Sequence, residues 1–175
     1  MTSPTSLDTP AGAVDKPAPY ARGLYWTEMK VGSSFSTASR TVTESDLVRF
    51  VSMGFTEPLF MDATGAAAAG YRGRLVPGAL TFSLAEGLVM LTNVIHGTGM
   101  AFLGTDITVK APVFVGDTLA VSWTVTSARP ASSGRRGVVT TSNLVRNQHG
   151  DVVMEYTPVR LIAAAPEPTG EGNQA

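Results

Sequence analysis

The second half of the chain alternates between apolar and polar residues, which is the period of a strand with one buried face. The alternation is clearest where Val121, Trp123 and Val125 interleave with serine and threonine. Four such segments follow one another: MAFLGTDITVKAPVF, DTLAVSWTVTSARP, GVVTTSNLVRNQ and DVVMEYTPVRLIA. Turn residues separate them, in VGD, SSG and HGD. The pattern predicts four strands joined as consecutive hairpins.

The first half of the chain follows a helical period instead. In TESDLVRFVSMG, Thr43 and Asp46 have the spacing of a capping box, and the apolar residues after them fall on one face. Gly54 is a natural stop for this short helix. Asp62 is then placed to cap a short alanine-rich turn that ends at Gly70.

The most apolar segment runs from Ala79 to His96, which indicates a helix buried almost all round. One long buried helix followed by hairpins predicts an α+β fold, an antiparallel sheet wrapped around that helix. Glu86 interrupts the apolar segment. Since a buried carboxylate must be paired or protonated, we predict that it makes a polar contact across a subunit interface. We expect His96 to interact with the helix C-terminus.

Composition narrows the class of protein. The 175 residues are 43% hydrophobic, enough for one core and too few for two ordinary domains. A net charge of -1 with 15% charged residues implies neither a nucleic-acid nor a membrane-surface partner. Cysteine is absent and there are two histidines, so we expect neither disulfides nor a metal site. GTGMAFLG lacks the dinucleotide-binding spacing, and no cofactor is expected.

The two ends differ in composition from the rest of the chain. Residues 1–19 are rich in Pro, Ser, Thr and Ala and lack the features of a signal peptide, which predicts a disordered arm. Residues 166–175, PEPTGEGNQA, are expected to form a flexible tail. No apolar run reaches the roughly 18 residues that cross a bilayer. We therefore expect a cytoplasmic protein with one folded domain at residues 20–165.

Four segments carry a resemblance to a known family. They are RTVTESDLVRF, GFTEPLFMD with its frame of Gly54, Pro58, Leu59 and Asp62, GYRGRLVPGALTFSLAEGL, and KAPVFVGDTL. In this order and spacing the chain resembles the MaoC-like hot-dog fold hydratases and dehydratases, which act on acyl thioesters. The pattern is closest to the members that resemble mesaconyl- and itaconyl-CoA hydratases. The resemblance runs from about Gly23 to Ile162 and implies a single hot-dog domain.

The resemblance also implies where the site lies and how it departs from the family. The hydratase pattern has an aspartate and a histidine as proton carriers where this chain has Phe55 and Phe60. Phenylalanine carries no proton, and each lost group would cost roughly 100- to 10,000-fold in rate. The two phenylalanines are then expected to contact substrate. Tyr71, Val76 and Pro77 are the other substrate-binding candidates. We expect Tyr71, Arg72 and Arg74, which precede the carbonyl site, to frame the mouth of the pocket.

Three further features are candidates for chemistry. Pro77-Gly78 stands where the family has His-Gly, so the resemblance implies that the Gly78 N–H polarises the thioester carbonyl. The alternative is a plain helix start, which proline also favours. Glu57 is a candidate replacement base if it is buried beside the phenylalanines, or else a solvent-facing carboxylate. Arg135 and Arg136 would hold carrier phosphates, or be merely solvated.

Three functions remain open. The first is a hydratase or dehydratase that acts on a CoA- or acyl-carrier-protein-bound enoyl thioester through a non-standard site. The second is a non-catalytic acyl-binding subunit whose partner supplies the acid–base pair. The third is a repurposed cyclase or lyase of specialised metabolism. In each, an exposed sheet edge predicts a homodimer or a heterodimer with a second hot-dog chain.

Overall fold

Strands from both halves of the chain form one antiparallel sheet in the computed structural model, which describes residues 22–132 and 135–166. The strands are β1 (Ser34–Ser36), β2 (Arg40–Thr41), β3 (Gly99–Val109), β4 (Thr118–Pro130), β5 (Arg136–Arg146) and β6 (Val152–Ala163). Their order is β1-β4-β5-β6-β3, and β2 pairs with the start of β4. The four strands predicted from alternation are confirmed. The sequence pattern did not predict β1 or β2.

The helices lie between β2 and β3. They are α1 (Glu44–Val51), α2 (Pro58–Met61), α3 (Ala63–Ala68) and α4 (Gly78–Leu91). The predicted capping box of α1 is confirmed, because the Thr43 N–H donates to Asp46 at 2.9 Å and the Asp46 N–H donates to the Thr43 hydroxyl. Gly54 follows with φ of +110°, a conformation that favours glycine. Asp62 caps α3, as predicted, by accepting from the Gly65 N–H.

Helix α4 packs on one face of the sheet and forms the core with it. The alternating buried side chains of the sheet include Val121, Trp123 and Val125 of β4 and Val139 and Val145 of β5. The buried face of the helix contributes Leu80, Leu84, Ala85, Leu88 and Val89 to the same cluster. The predicted α+β hot-dog architecture, a sheet wrapped around a central helix, is confirmed.

Two predictions about α4 are wrong. The helix ends at Leu91 and does not extend to His96, because Thr92 caps its end and Asn93 adopts a left-handed conformation with φ of 58°. His96 therefore lies beyond the helix terminus. The helix is also not buried all round. The exposed residues of α4 are Ala79, Ser83, Gly87, Met90 and Leu91.

Strand β3 is an edge of the sheet, since it pairs with β6 alone. Most of its residues are exposed, including the apolar side chains of Leu103 (54%), Ile107 (44%) and Val109 (57%). An edge strand presents a row of free backbone donors and acceptors to another chain. Together with the exposed face of α4, β3 forms an apolar surface that the described fold leaves uncovered.

Several predictions concern residues outside the described part of the chain. The predicted disordered arm, residues 1–19, lies there, and so does the predicted tail after Pro166. No helix within the described ranges is both long enough and apolar enough to span a membrane.

Candidate active site

The segment before α4 is tied by backbone hydrogen bonds to two neighbouring loops. The Leu75 N–H donates to the Leu59 carbonyl of α2 at 2.9 Å. The Val76 N–H donates to the Val113 carbonyl, between β3 and β4, at 2.8 Å. These contacts fix the first turn of α4 between the GFTEPLFMD loop and the end of β3.

A cavity of about 390 Å³ opens at this first turn. Leu59 and Phe60 line it from α2, Val76 and Gly78 from the start of α4, and Val109 from β3. Most of its other lining residues are also apolar, including Leu75, Pro112 and Met154. An apolar cavity with few polar groups is the usual form of a small-molecule site.

Gly78 is the first residue of α4 and lies in the cavity wall. The first N–H groups of a helix have no intrahelical acceptor, and no described residue accepts a hydrogen bond from the Gly78 N–H. The absence of a side chain matters here, because a Cβ on Gly78 would lie 3.2 Å from Val109 Cγ2. The backbone is thus open to a ligand oxygen at the positive end of the helix dipole.

Few polar side chains reach this cavity. Tyr71 and Lys110 are the titratable residues among its described lining, and Lys110 Nζ lies 2.9 Å from Glu155 Oε2. Thr81 is buried, and its hydroxyl donates to the Pro77 carbonyl at 3.3 Å. No carboxylate or imidazole occurs among the described lining residues. The cavity can therefore hold an apolar group, but its described lining lacks the pair of proton carriers expected of the family.

The cavity brings together four of the residues predicted from the sequence. These are Phe60, Tyr71, Val76 and Gly78. Phe55 lies elsewhere, packed against Phe50 of α1 with ring centroids 4.5 Å apart. Pro77 is the N-cap residue of α4 and is buried, but it does not line the cavity.

The other predicted site residues lie away from the cavity of their own chain. Glu57 is solvent-exposed at the N-cap of α2, so the burial required for it to act as a base is not observed. Arg136 pairs with Ala163 at the end of β6, whereas Met154 lies in the cavity at its beginning. Nine residues of strand separate these points by roughly 30 Å. Arg135 and Arg136 therefore cannot contact a ligand in this cavity unless they belong to another protomer.

Glu86 makes polar contacts within its own chain, so its charge is paired without the predicted contact across a subunit interface, which stays a prediction. Its carboxylate accepts from Arg160 Nη2 at 2.6 and 2.7 Å and from the Tyr156 hydroxyl at 2.8 Å. The Arg160 side chain is 7% exposed and that of Glu86 17%. Burial, and then the nearby Glu86 charge, raise the pKa of Tyr156. Glu86, Arg160 and Tyr156 thus form a hydrogen-bonded polar network between α4 and the sheet, in which the carboxylate is paired with a cation.

The sequence analysis did not identify Thr81, Val109 or Lys110 as part of the site. Lys110 begins KAPVFVGDTL, a segment that indicated the fold. Its position at the end of a strand could have identified it as a site residue. Among the described residues, no group of three or more Asp, Glu or His side chains could hold a metal ion.

Comparisons with known proteins identify the family of this fold and cavity. The family model of the FAS1-like, dehydratase domain region matches residues 29–156. An (R)-specific enoyl-CoA hydratase of Rhodospirillum rubrum is 29% identical over 107 residues, which are 61% of this chain and 72% of that protein.

Solved structures agree with the sequence comparisons. The MaoC-like dehydratase of Rhodospirillum rubrum superposes with a TM-score of 0.76 at 25% identity, over 83% of this chain and all of that one. The HadBC complex of Mycobacterium tuberculosis, a (3R)-hydroxyacyl-ACP dehydratase, superposes with a TM-score of 0.65 at 22% identity. That match covers 75% of this chain and 96% of that one, and it shows the fold alone. The family model, that of the FAS1-like dehydratase domain region, covers well over half of the chain. The chain therefore belongs to the MaoC-like hot-dog dehydratase family.

Proposed function

We propose that the chain binds an acyl or enoyl thioester of coenzyme A or acyl carrier protein in the α4 cavity and takes part in its hydration or dehydration. The observation that carries this proposal is the open Gly78 N–H at the start of α4 in an otherwise apolar cavity. The (R)-specific enoyl-CoA hydratase of Rhodospirillum rubrum supports the class of substrate.

In this proposal the thioester carbonyl accepts a hydrogen bond from the Gly78 N–H. Negative charge develops on that oxygen when a proton is removed from the carbon next to the carbonyl in dehydration, or when the oxygen of water adds to the next carbon, the β carbon, in hydration. A helix N-terminus stabilises such charge, and it does so more strongly where water is excluded. The apolar acyl group would lie against Leu59, Phe60 and Val109.

The source of the proton carrier separates two versions of this function. A chain that works alone needs a base from outside the described lining, and Glu57 remains the candidate if its loop rearranges over the ligand. A chain that works with a partner needs no such rearrangement, since the partner supplies the acid–base pair. The exposure of Glu57 and the position of Phe60 in the cavity favour the second version.

A second hot-dog chain fits the uncovered surface formed by β3 and the exposed face of α4. Free backbone groups on β3 support continuation of the sheet, and exposed Leu103 and Ile107 supply apolar area. Two-fold antiparallel pairing would set the start of one β3 beside the end of the other. The Arg135–Arg136 end of one protomer would then lie on the same side as the partner's cavity, an arrangement that retains these arginines as carrier contacts.

The test is a hydration assay on the purified chain, with native mass measured in the same sample. Short and branched enoyl-CoAs are added and the loss of enone absorbance is followed. Turnover by a homodimer that is lost in Glu57→Gln supports the self-sufficient version. Acyl-CoA binding without turnover, with activity restored by a second hot-dog chain that carries the Asp/His pair, supports the subunit version. Neither binding nor turnover with any thioester would contradict the proposal.

A further inference from the structure

A second cavity of about 460 Å³ adjoins the first and has a different chemical character. Pro112 lines both cavities. In two places along the chain, one residue lines the first cavity and the next residue lines the second. Tyr71 and Val113 line the first cavity, and Arg72 and Phe114 line the second. The second cavity is polar, with Asp117, Asn147, Gln148 and His149 in its wall. A ligand that leaves the apolar cavity on this side would enter a polar one.

Arg72 is held over this cavity by two contacts. Its Nη2 donates to Asp117 Oδ1 at 3.1 Å, and its guanidinium carbon lies 4.1 Å from the centre of the Phe114 ring. The side chain is nevertheless 66% exposed. Its other N–H groups have no acceptor in the part of the chain that the structure describes. Arg72 is thus oriented in advance and retains free donors.

Asp117 does not depend on Arg72 for its hydrogen bonds. It is 5% exposed, and it accepts from the Phe114 N–H at 2.8 Å and from Gln148 Nε2 at 3.1 Å as well as from Arg72. Buried carboxylates need such donors, and here two of the three come from other groups. Asp117 therefore serves as a fixed anchor for the wall of the cavity, and its ion pair with Arg72 holds the guanidinium in place.

The hydrogen bonds of Gln148 determine which ring nitrogen of His149 carries the proton. The Thr118 N–H donates to Gln148 Oε1 at 3.0 Å, which sets the orientation of that amide. Gln148 Nε2 is then a donor, and His149 Nε2, 3.1 Å away, is its acceptor. A neutral imidazole that accepts at Nε2 carries its proton on Nδ1. Beside the free N–H groups of Arg72, His149 thus adds a second donor to the residues that line this cavity.

We propose that this polar cavity, with Arg72 as its principal group, binds the phosphate of the phosphopantetheine arm that coenzyme A and acyl carrier protein share. Arginine binds phosphate through a planar fork of donors, and charge-assisted hydrogen bonds of this kind are stronger than neutral ones. The inference rests on the proposed function, because that function puts the acyl end of the same molecule in the adjoining cavity. Arg72 binds the carrier and takes no part in proton transfer.

The test measures binding of 4′-phosphopantetheine and of pantetheine, which differ by the phosphate, to the full-length protein by calorimetry. Wild type is expected to bind the phosphorylated compound roughly tenfold or more tightly, the size of one charge-assisted hydrogen bond. Arg72→Met should abolish that difference. Arg49→Met, which removes an exposed positive charge from α1, should retain it. Equal binding of the two compounds by wild type, or an unchanged difference in Arg72→Met, would overturn the proposal.

The same variants separate this inference from the proposed function and distinguish the two carriers. With CoA and with a holo acyl carrier protein as ligands, Arg72→Met is expected to weaken binding of at least one about tenfold, and no loss with either would contradict the site. An enoyl N-acetylcysteamine thioester has no phosphate, and its binding should be unchanged by Arg72→Met. If no acyl thioester shows acyl-dependent binding while the phosphate-dependent difference persists, the proposed function fails and the phosphate site stands.

Discussion

Val109 at the end of β3 lies against Gly78 at the start of α4, so closely that a Cβ on Gly78 would lie 3.2 Å from Val109 Cγ2. The contact joins the central helix to the exposed edge of the sheet. Gly78 also lines the cavity, and no described residue accepts a hydrogen bond from its N–H, which is the basis of the proposed carbonyl contact.

Gly78→Ala is expected to weaken binding of acyl-CoA about three- to tenfold, because the added methyl group displaces either Val109 or the ligand carbonyl from a hydrogen bond. The matched control is Gly87→Ala in the same helix, where the added Cβ would meet no atom of a described residue within 4 Å apart from its chain neighbours and the backbone of its own helix. That variant should raise the free energy of unfolding by about 0.5–1 kcal/mol. Calorimetry and urea unfolding measure both effects. Equal acyl-CoA affinity in Gly78→Ala and wild type would argue against the carbonyl contact.

Breaking the Glu86–Arg160 pair should destabilise the fold strongly. Arg160→Met leaves a mostly buried carboxylate without its cation, and the expected loss in the free energy of unfolding is about 3–5 kcal/mol. The double variant Glu86→Leu/Arg160→Met removes both charges and should be more stable than Arg160→Met. Urea unfolding of the three proteins tests this order. A double variant less stable than Arg160→Met would show that the two residues are not coupled in this way.

This pair also marks the limit of sequence reasoning for this chain. Alternation predicted β3 to β6, and local spacing predicted the caps of α1 and α3, because those signals lie within a few residues. Glu86 and Arg160 are 74 positions apart, and Arg72 and Asp117 are 45 apart. Local periodicity carries no information on such pairs, so the sequence did not predict that Arg160 and Tyr156 pair with Glu86 within the chain.

The same limit applies to the site. The cavity contains Phe60, Tyr71, Val76 and Gly78, whose place follows from the segments around α2 and the start of α4. Phe55 is the other phenylalanine of the motif, but its ring packs against Phe50 of α1 and does not line the cavity. The early end of α4 depends on the left-handed Asn93, which helical periodicity does not reveal.

The capping box of α1 predicts a pH dependence of stability. Partial burial acts to raise the pKa of Asp46, but hydrogen bonds from Thr43 and the charge of Arg40 outweigh it, and the pKa lies below its usual value. A lowered carboxyl pKa stabilises the fold above the unfolded value, near 3.9, and that stabilisation is lost as the pH falls through the folded value.

Asp46→Asn should therefore lower the free energy of unfolding by about 0.3–1.5 kcal/mol at pH 7. The difference from wild type should shrink as the pH falls below about 4, where Asp46 becomes protonated first in the unfolded chain and, at lower pH, in the folded protein. Urea unfolding of both proteins between pH 3 and pH 7 measures it. A difference that is constant with pH would mean that the ionised carboxylate does not stabilise the helix start.

Ile107→Lys tests whether β3 is an interface. Ile107 is 44% exposed, so the substitution costs little in a monomer, but a lysine between two β3 strands would bury charge. We expect native mass to shift from dimer to monomer while the unfolding midpoint of the monomer changes little. Thr157→Lys, at an exposed position on the neighbouring strand β6, is the matched control and should leave the mass unchanged. Dimers that persist in Ile107→Lys would place the interface elsewhere.

The most direct test of the central claim, that the α4 cavity binds the acyl part of a thioester, is a calorimetric comparison of free CoA with a series of short acyl-CoAs. The account predicts that affinity rises when an acyl group is added, because apolar surface enters the cavity, and that Gly78→Ala reduces the gain. Equal affinity for free CoA and every acyl-CoA would contradict it.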